Sequence, residues 1–339
     1  MKKFALASVA AAAMAVPQTA SAQELIVGIF GGSFADNSKL CHVAPFEKAT
    51  GAKVRHVLGS SVDNVAKMRA TKGSPDLDIA YIDLAIALQA KNEGLLAKLD
   101  GANIKNLPDL YPSAVDADGR FVGMMYSATA IAYDPKVVKT PPTSWKDLWD
   151  PQYKGKLAIG DISGTSGLHF LIAVARMEGG SLDNADPGFK AIATLKPNVV
   201  MMYSQADQIV PLFERGEISI AVWYPDRVGA AAAKGLSVAS AFPKEGAIGI
   251  LPTVGVPEGA KNKALAERYI DVLLSPEAQL CFAQKQYAGP VNRKVTLDAT
   301  LSGALPYREG IEKMYFPDPA ATAKQRPAWV ERWGREIAR

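Results

Sequence analysis

Three times within residues 25–94, a strand-like run gives way to a stretch with helical spacing, and this alternation constrains the fold more than any other feature of the chain. The runs are 25–30, 53–58 and 78–82; the helical stretches are 37–50, 61–71 and 84–93. The first of these runs is short and continuously apolar, which reads as a parallel strand covered on both faces. In the second helical stretch Val62, Val65 and Met68 recur at a spacing of three, which puts them on one side. Gly51 and Gly94 follow two of the helices, where a left-handed residue ends the last turn. Strand–helix–strand connections of this kind are right-handed crossovers in an open α/β sheet.

The alternation continues with a change of character. Residues 121–126 and 128–133 read as two strands, and Ser144 caps a short helix over 145–149. The strand 157–159 runs into the polar loop 160–167, and a strong helix follows over 168–177. Strands at 199–200 and 219–223 alternate with helices at 206–214 and 228–234. The strand 249–256 contains Pro252 and is expected to be irregular or at an edge. Helices at 264–274 and 276–285 come after it. A length of 339 residues suggests two domains, and a formal charge of +4 is too weak to argue for nucleic acid.

Residues 1–22 stand apart. Lys2 and Lys3 precede an apolar run over 4–16, and Ala20-Ser21-Ala22 gives a small-residue end. This is the pattern of a secretory signal peptide, cleaved after Ala22. The run is too short to span a bilayer. No cysteine stands at the cleavage point to carry a lipid. Export bears on Cys41 and Cys281, because oxidising compartments favour bridging. A bridge would bring the first helix against a late one; two buried thiols are the alternative. His42, His56 and His169 are scattered without metal-ligand spacing, and no nucleophile–base–acid set is visible. No catalytic residue, metal or cofactor is therefore expected.

A series of short motifs adds a family expectation. Residues 44–54 read APFEKATGAKV, 75–79 read PDLDI, and 89–96 read QAKNEGLL. Then come IAYD at 131–134, PTSWKDLW at 142–149, IAVW at 220–223 and PKEG at 243–246. LLSPEAQ at 273–279 and GPVN at 289–292 close the series. In order and spacing the mature chain resembles the periplasmic solute-binding proteins of ATP-driven importers, in the spermidine/putrescine-binding branch. The resemblance implies a type II periplasmic binding protein fold: α/β, two lobes, each an open sheet, joined by crossover strands around a ligand cleft. Carried onto this chain, one lobe is 23–127 with 252–295 and the other is 128–251 with 296–339. It also implies a periplasmic monomer that hands a small solute to an inner-membrane permease, without catalysis. A sensory protein presenting ligand to a receptor is the alternative role, and a secreted enzyme the more distant one.

Ligands of open α/β sheets bind at the carboxyl ends of the strands. Four such ends are polar here. The first offers Gly31 and Gly32 with Ser33, Phe34 and Asp36; the glycines either let the backbone approach a ligand or simply turn the chain. The second ends at Asp83, which also suits a helix N-cap. The third presents Asp161, Ser163, Thr165 and Ser166 before a helix. The fourth is Trp223, Tyr224, Asp226 and Arg227. Trp223 is either an aromatic wall over an ammonium or core, and Asp226 pairs with a ligand or with a neighbouring base. The aspartates with Phe34, Tyr81, Trp223 and Tyr224 suit a polyamine or other amine. Arg227 beside aspartates suits a zwitterion, such as an amino-acid derivative, or an organic acid equally well.

Overall fold

Runs 25–30 and 78–82 form inner strands of a sheet whose two faces are covered by helices, whereas 53–58 is an edge strand, with no residue fully buried. A computed structural model describes residues 23–338, apart from 309, 310, 312 and 313; the leader 1–22 and its cleavage point lie outside the described residues. Strands β1 (Glu24–Ile29), β2 (Lys53–Leu58) and β3 (Ile79–Asp83) run parallel with β1 between the other two. β4 (Val122–Gly123) and β11 (Pro252–Gly255) complete the order β2-β1-β3-β11-β4, with β11 antiparallel to both neighbours. Alternate residues of β3 go to opposite faces. Ile79 and Tyr81 enter one core; Ala80 and Ile82 enter another with Val65, Met68, Ile86 and Ala87. Those four come from α3 (Ser61–Ala70) and α4 (Leu84–Asn92). The other face is covered by α1 (Ser33–Ser38), α2 (Ala44–Thr50), α9 (Lys263–Leu274) and α10 (Pro276–Gln286).

The second sheet has the order β10-β5-β8-β6-β7, with β9 (Ala239–Ala241) also beside β5. Its strands are β5 (Ser127–Tyr133), β6 (Leu157–Gly160), β7 (Val199–Tyr203), β8 (Ile220–Trp223) and β10 (Ile248–Ile250). β6 is parallel to β7 and β8, and β5 is antiparallel to its partners. Two cores again flank one sheet: Leu157, Ile159, Ile220 and Val222 face one, and Ala158, Ala221 and Trp223 face the other. The helices of this lobe are α5 (Thr165–Met177), α6 (Asp186–Thr194), α7 (Val210–Glu214) and α8 (Pro225–Ala233).

The expected strand over 249–256 is two strands in two sheets. β10 ends at Ile250, β11 begins at Pro252, and Leu251 alone separates them. The irregularity expected from Pro252 is thus a crossing between lobes. β11 is nevertheless internal to its sheet, not at an edge; proline is tolerated as its first residue. A second crossing links β4 to β5. After α10, Val295, Leu297, Leu305 and Tyr307 pack with Ala283. The chain rejoins the second sheet at Tyr315, beside Ile248. A last helix, Pro319–Glu336, places Trp329 and Trp333 in that lobe's core and lies along α4 of the other.

Helices α1, α5 and α8 begin three or four residues earlier than their apolar spacing suggests. The first turns of α5 and α8 are polar because they face a cleft, and α1 brings Phe34 to the same space. Between α1 and α2 the turn Lys39–Val43 is π-helical. Pro45 lacks the N–H that would bond to the carbonyl of Cys41, which favours a wider turn there. Cys41 in that turn is bridged to Cys281 in α10, with Cα atoms 5.5 Å apart across a sequence separation of 240. The expected bridge, and the contact of the first helix with a late one, are therefore both present.

Candidate functional site

The carboxyl ends of all six parallel strands converge on one cavity of about 560 Å³ between the lobes. Eight of the candidate residues line it: Phe34, Asp83, Asp161, Thr165, Ser166, Tyr224, Asp226 and Arg227. Four lie outside its wall. Ser33 starts α1 without reaching the cavity. One turn further on, Asp36 is turned to solvent and sits 3.5 Å from Lys39. Ser163 is spent locally, donating its hydroxyl and backbone N–H to Asp161 Oδ1. Trp223 is core: 1% exposed, it packs near Phe213 and donates its indole N–H to the Ala206 carbonyl at 2.8 Å. Tyr81 is likewise buried, its hydroxyl 3.2 Å from that of Tyr269.

Of the described residues lining the cavity, five are aspartates, Asp63, Asp83, Asp161, Asp207 and Asp226, and one is basic, Arg227. That arginine is already engaged. Its Nη1 donates to the Gly31 carbonyl at 2.8 Å and to both oxygens of Asp207 at 3.1 and 3.0 Å. Its guanidinium also lies 5.4 Å from the centre of the Phe34 ring. The side chain is 5% exposed, so a pair of this kind is hydrogen-bonded rather than solvated.

Asp83 stands at the N-cap of α4, but its carboxylate makes no cap bond. It accepts instead from the Thr165 hydroxyl, across the cleft. Burial raises its pKa, and the charge of Asp226 adds to that, against the hydrogen bonds from Thr165 and Ser61. Asp226 is 3% exposed. Its Oδ1 accepts from Ser127 and its Oδ2 accepts from Gln286 Nε2 at 3.2 Å. Arg227 Nε stays 3.9 Å away. Burial again raises the carboxyl, opposed mainly by Arg227. Asp63, its burial notwithstanding, is held below the usual carboxylate range by the backbone and hydroxyl of Ser60 and by Gln205. The Gln205 bond, 3.0 Å, is a further link across the cleft. Tyr224 is pushed well up by burial, then by Tyr203 and Asp83.

The Gly31-Gly32 turn is a close approach. Gly32 has φ 63°, and a Cβ there would lie 1.4 Å from Asp207 Oδ2. This seam, with the Asp83–Thr165 and Asp63–Gln205 bonds, holds the two lobes closed over the cavity. Helix α5, whose first turn supplies Thr165 and Ser166, starts with no side-chain cap. That first turn lines the same cavity as the aspartates, and the Ser166 backbone N–H is directed to Tyr224.

A family model described as bacterial extracellular solute-binding protein matches residues 42–305. The chain belongs to this family. It is 26% identical over 321 residues to the gamma-aminobutyric acid-binding protein of Pseudomonas aeruginosa, covering 89% of this chain and 87% of the relative. It is 30% identical over 252 residues to the spermidine/putrescine-binding periplasmic protein of Escherichia coli, 68% of each. The crystal structure of an ABC transporter from Clostridium perfringens superposes with a TM-score of 0.70 at 29% identity, over 92% of this chain and 99% of that one. The two-lobed fold and the solute-binding role follow.

Sequence reasoning missed two parts of the cavity wall: the ends of β2 and β7, which bring Asp63, Tyr203, Gln205 and Asp207, and the lobe crossings, which bring Met125, Ser127, Ile250 and Pro252. Ser60 and Asp63 form a capping box, a spacing legible in the sequence. For β7, the apolar pair 199–200 hid a strand that runs on to Tyr203.

Proposed function

We propose that this binding protein captures a compact solute bearing a primary ammonium group, held between Asp83 and Asp226. The observation that carries the reading is the excess of five aspartates over one arginine in the cavity wall, with that arginine already paired to Asp207. An ammonium between the half-buried Asp83 and the buried Asp226 would stabilise the charged form of both, which burial alone disfavours. The uncapped start of α5 suits an anionic group at the solute's other end. That combination favours an amino zwitterion. The relative matched over nearly its whole length, named for gamma-aminobutyric acid, supports the same choice. A linear diamine is the second reading, favoured by the acidic excess and by the spermidine/putrescine-binding relative.

In this reading the protein is exported, cleaved after Ala22, and acts in the periplasm as a monomer without catalysis. The lobes, 23–127 with 252–295 and 128–251 with 296–339, close on the solute, and an ABC permease receives it from the closed form. The packing of Leu297, Leu305 and Tyr307 on α10 supports extending the first lobe past 295.

Calorimetry with γ-aminobutyrate, putrescine, acetate and glucose tests the proposal. The zwitterion is expected to bind at least tenfold tighter than putrescine, and the neutral sugar not at all. Asp83→Asn and Asp226→Asn are each expected to weaken the amine by about 1–3 kcal/mol. Tighter putrescine binding would replace the first reading by the second; no binding of either amine overturns both.

A further inference from the structure

Gln286 lies outside the cavity wall, is 0% exposed, and spends its whole side chain on two polar contacts. Its Oε1 accepts from Asn37 Nδ2 at 2.7 Å, and its Nε2 donates to Asp226 Oδ2 at 3.2 Å. Asn37 is fixed in turn, because the same Nδ2 reaches the Lys285 carbonyl at 2.9 Å. An amide whose oxygen is occupied by a donor has its nitrogen directed the other way. The Asn37 contact therefore sets which end of Gln286 meets Asp226.

The line of contacts runs along a stapled seam. Asn37 is one helical turn before Cys41, and Gln286 is little more than one turn after Cys281, so the disulfide locks the register of the helices that carry both residues. The far end of the line lies beside the lobe crossing. Ser127, the other donor to Asp226, begins β5, and the neighbouring Tyr126 pairs with Gly289 just after α10. Groups next to a hinge move least when lobes open.

We propose that Gln286 is a positioning residue for the solute site: it orients Asp226 and keeps that carboxylate negative, so that one buried anion is ready before the lobes close. This rests on the reading of Asp226 as the ammonium partner. The two donors are neutral, so they hold the carboxylate without cancelling its charge, and each oxygen keeps a lone pair for the solute. A second arginine in place of Gln286 would neutralise the site instead. The described charged groups around Asp226 are Arg227 on its own helix, Asp83 from β3, and Asp207 beyond Arg227. On the helices packed against it, Asp36 and Lys285 are exposed.

The test is a carbon-13 NMR titration of the Asp226 carboxyl in the ligand-free mature protein. Gln286→Leu removes one donor to a charged acceptor, and the midpoint is expected to rise by about one to two pH units. Asn37→Ala leaves the amide in place but frees it to turn, and a smaller rise is expected. A merely structural glutamine would lower the melting temperature without moving this midpoint. An unmoved midpoint in both variants overturns the proposal, and Asn37→Ala decides it if Gln286→Leu does not fold. Should the midpoint rise while neither γ-aminobutyrate nor putrescine binds the unaltered protein, the positioning role stands and the amine reading fails.

Discussion

Substituting Gly32→Ala perturbs closure more directly than any change to a solute contact. Two effects follow, and they separate. The residue sits at φ 63°, where an alanine costs about 1 kcal/mol or more in open and closed forms alike. That part lowers stability, by about 2–4 °C in melting temperature for a lobe of this size. The second effect exists only when the lobes are together. The new Cβ would fall 1.4 Å from Asp207 Oδ2, far inside contact distance, so the Asp207 carboxylate must leave its seat. Arg227 Nη1 then loses its bonds to Asp207 and is drawn off the Gly31 carbonyl. Losing charged hydrogen bonds of this kind costs about 1.5–3 kcal/mol. Apparent affinity scales with the closed fraction, so solute binding should weaken roughly tenfold to a hundredfold. Calorimetry measures the affinity, and small-angle scattering of the solute-saturated protein should give a larger radius of gyration. Asp207→Gly in the same chain removes the clash and should restore part of the loss. Unchanged affinity and radius in Gly32→Ala would refute the reasoning.

Other consequences can be checked independently. His42 and His169 are buried with pKa values lowered to about 3 by desolvation, so below the free value of 6.5 the unfolded chain binds protons that the folded one refuses. Stability should therefore be complete above pH 6.5 and fall as pH drops toward 3, by up to about 1.4 kcal/mol per pH unit for each histidine; urea melts at pH 8 and pH 5 that coincide would contradict this. Reducing the Cys41–Cys281 bridge should lower stability by at most about 5 kcal/mol, given the loop it closes, and a thiol count on the unfolded, unreduced protein should find none free. Trp223→Ala should cost about 3–5 kcal/mol of stability, as for any large core truncation, and a melt that moves by under a degree would mean the indole is not core.

How much of this was legible depends on the kind of signal. The parallel strands announced themselves because burial on both faces forces continuous apolar runs, as in 25–30 and 78–82. Four of their six carboxyl ends then located part of the cavity. The disulfide was one of two readings the cysteine pair left open, the other being two buried thiols, and the structure decides for the bridge. What stayed hidden was set by contacts distant in sequence. Trp223 ends β8 wholly inside a core, whereas Tyr224, just beyond the strand, packs on the same core and also lines the cavity. Asp207 has no local mark; its role comes from Gly32, which the chain reaches only through folding. Gln286 looks like any helical glutamine until Asn37 and Asp226 are placed beside it. The C-terminal helix escaped notice because its buried tryptophans are few and its surface strongly charged.

The single residue Leu251 between β10 and β11 has a bearing on biogenesis. All strands of the second sheet lie within one uninterrupted stretch, 127–250, whereas the first sheet is split around it. A chain synthesised amino end first can pair the inner strands while β1, β2 and β3 still wait for β11 to arrive. Cys41 waits longer, until α10 follows. The lobe that emerges first is thus expected to be finished last, with its staple closing as a late step. Thiol-blocking pulses during refolding of the reduced protein in an oxidising buffer would read that order, since both cysteines should stay reactive after the second sheet's amides are already protected.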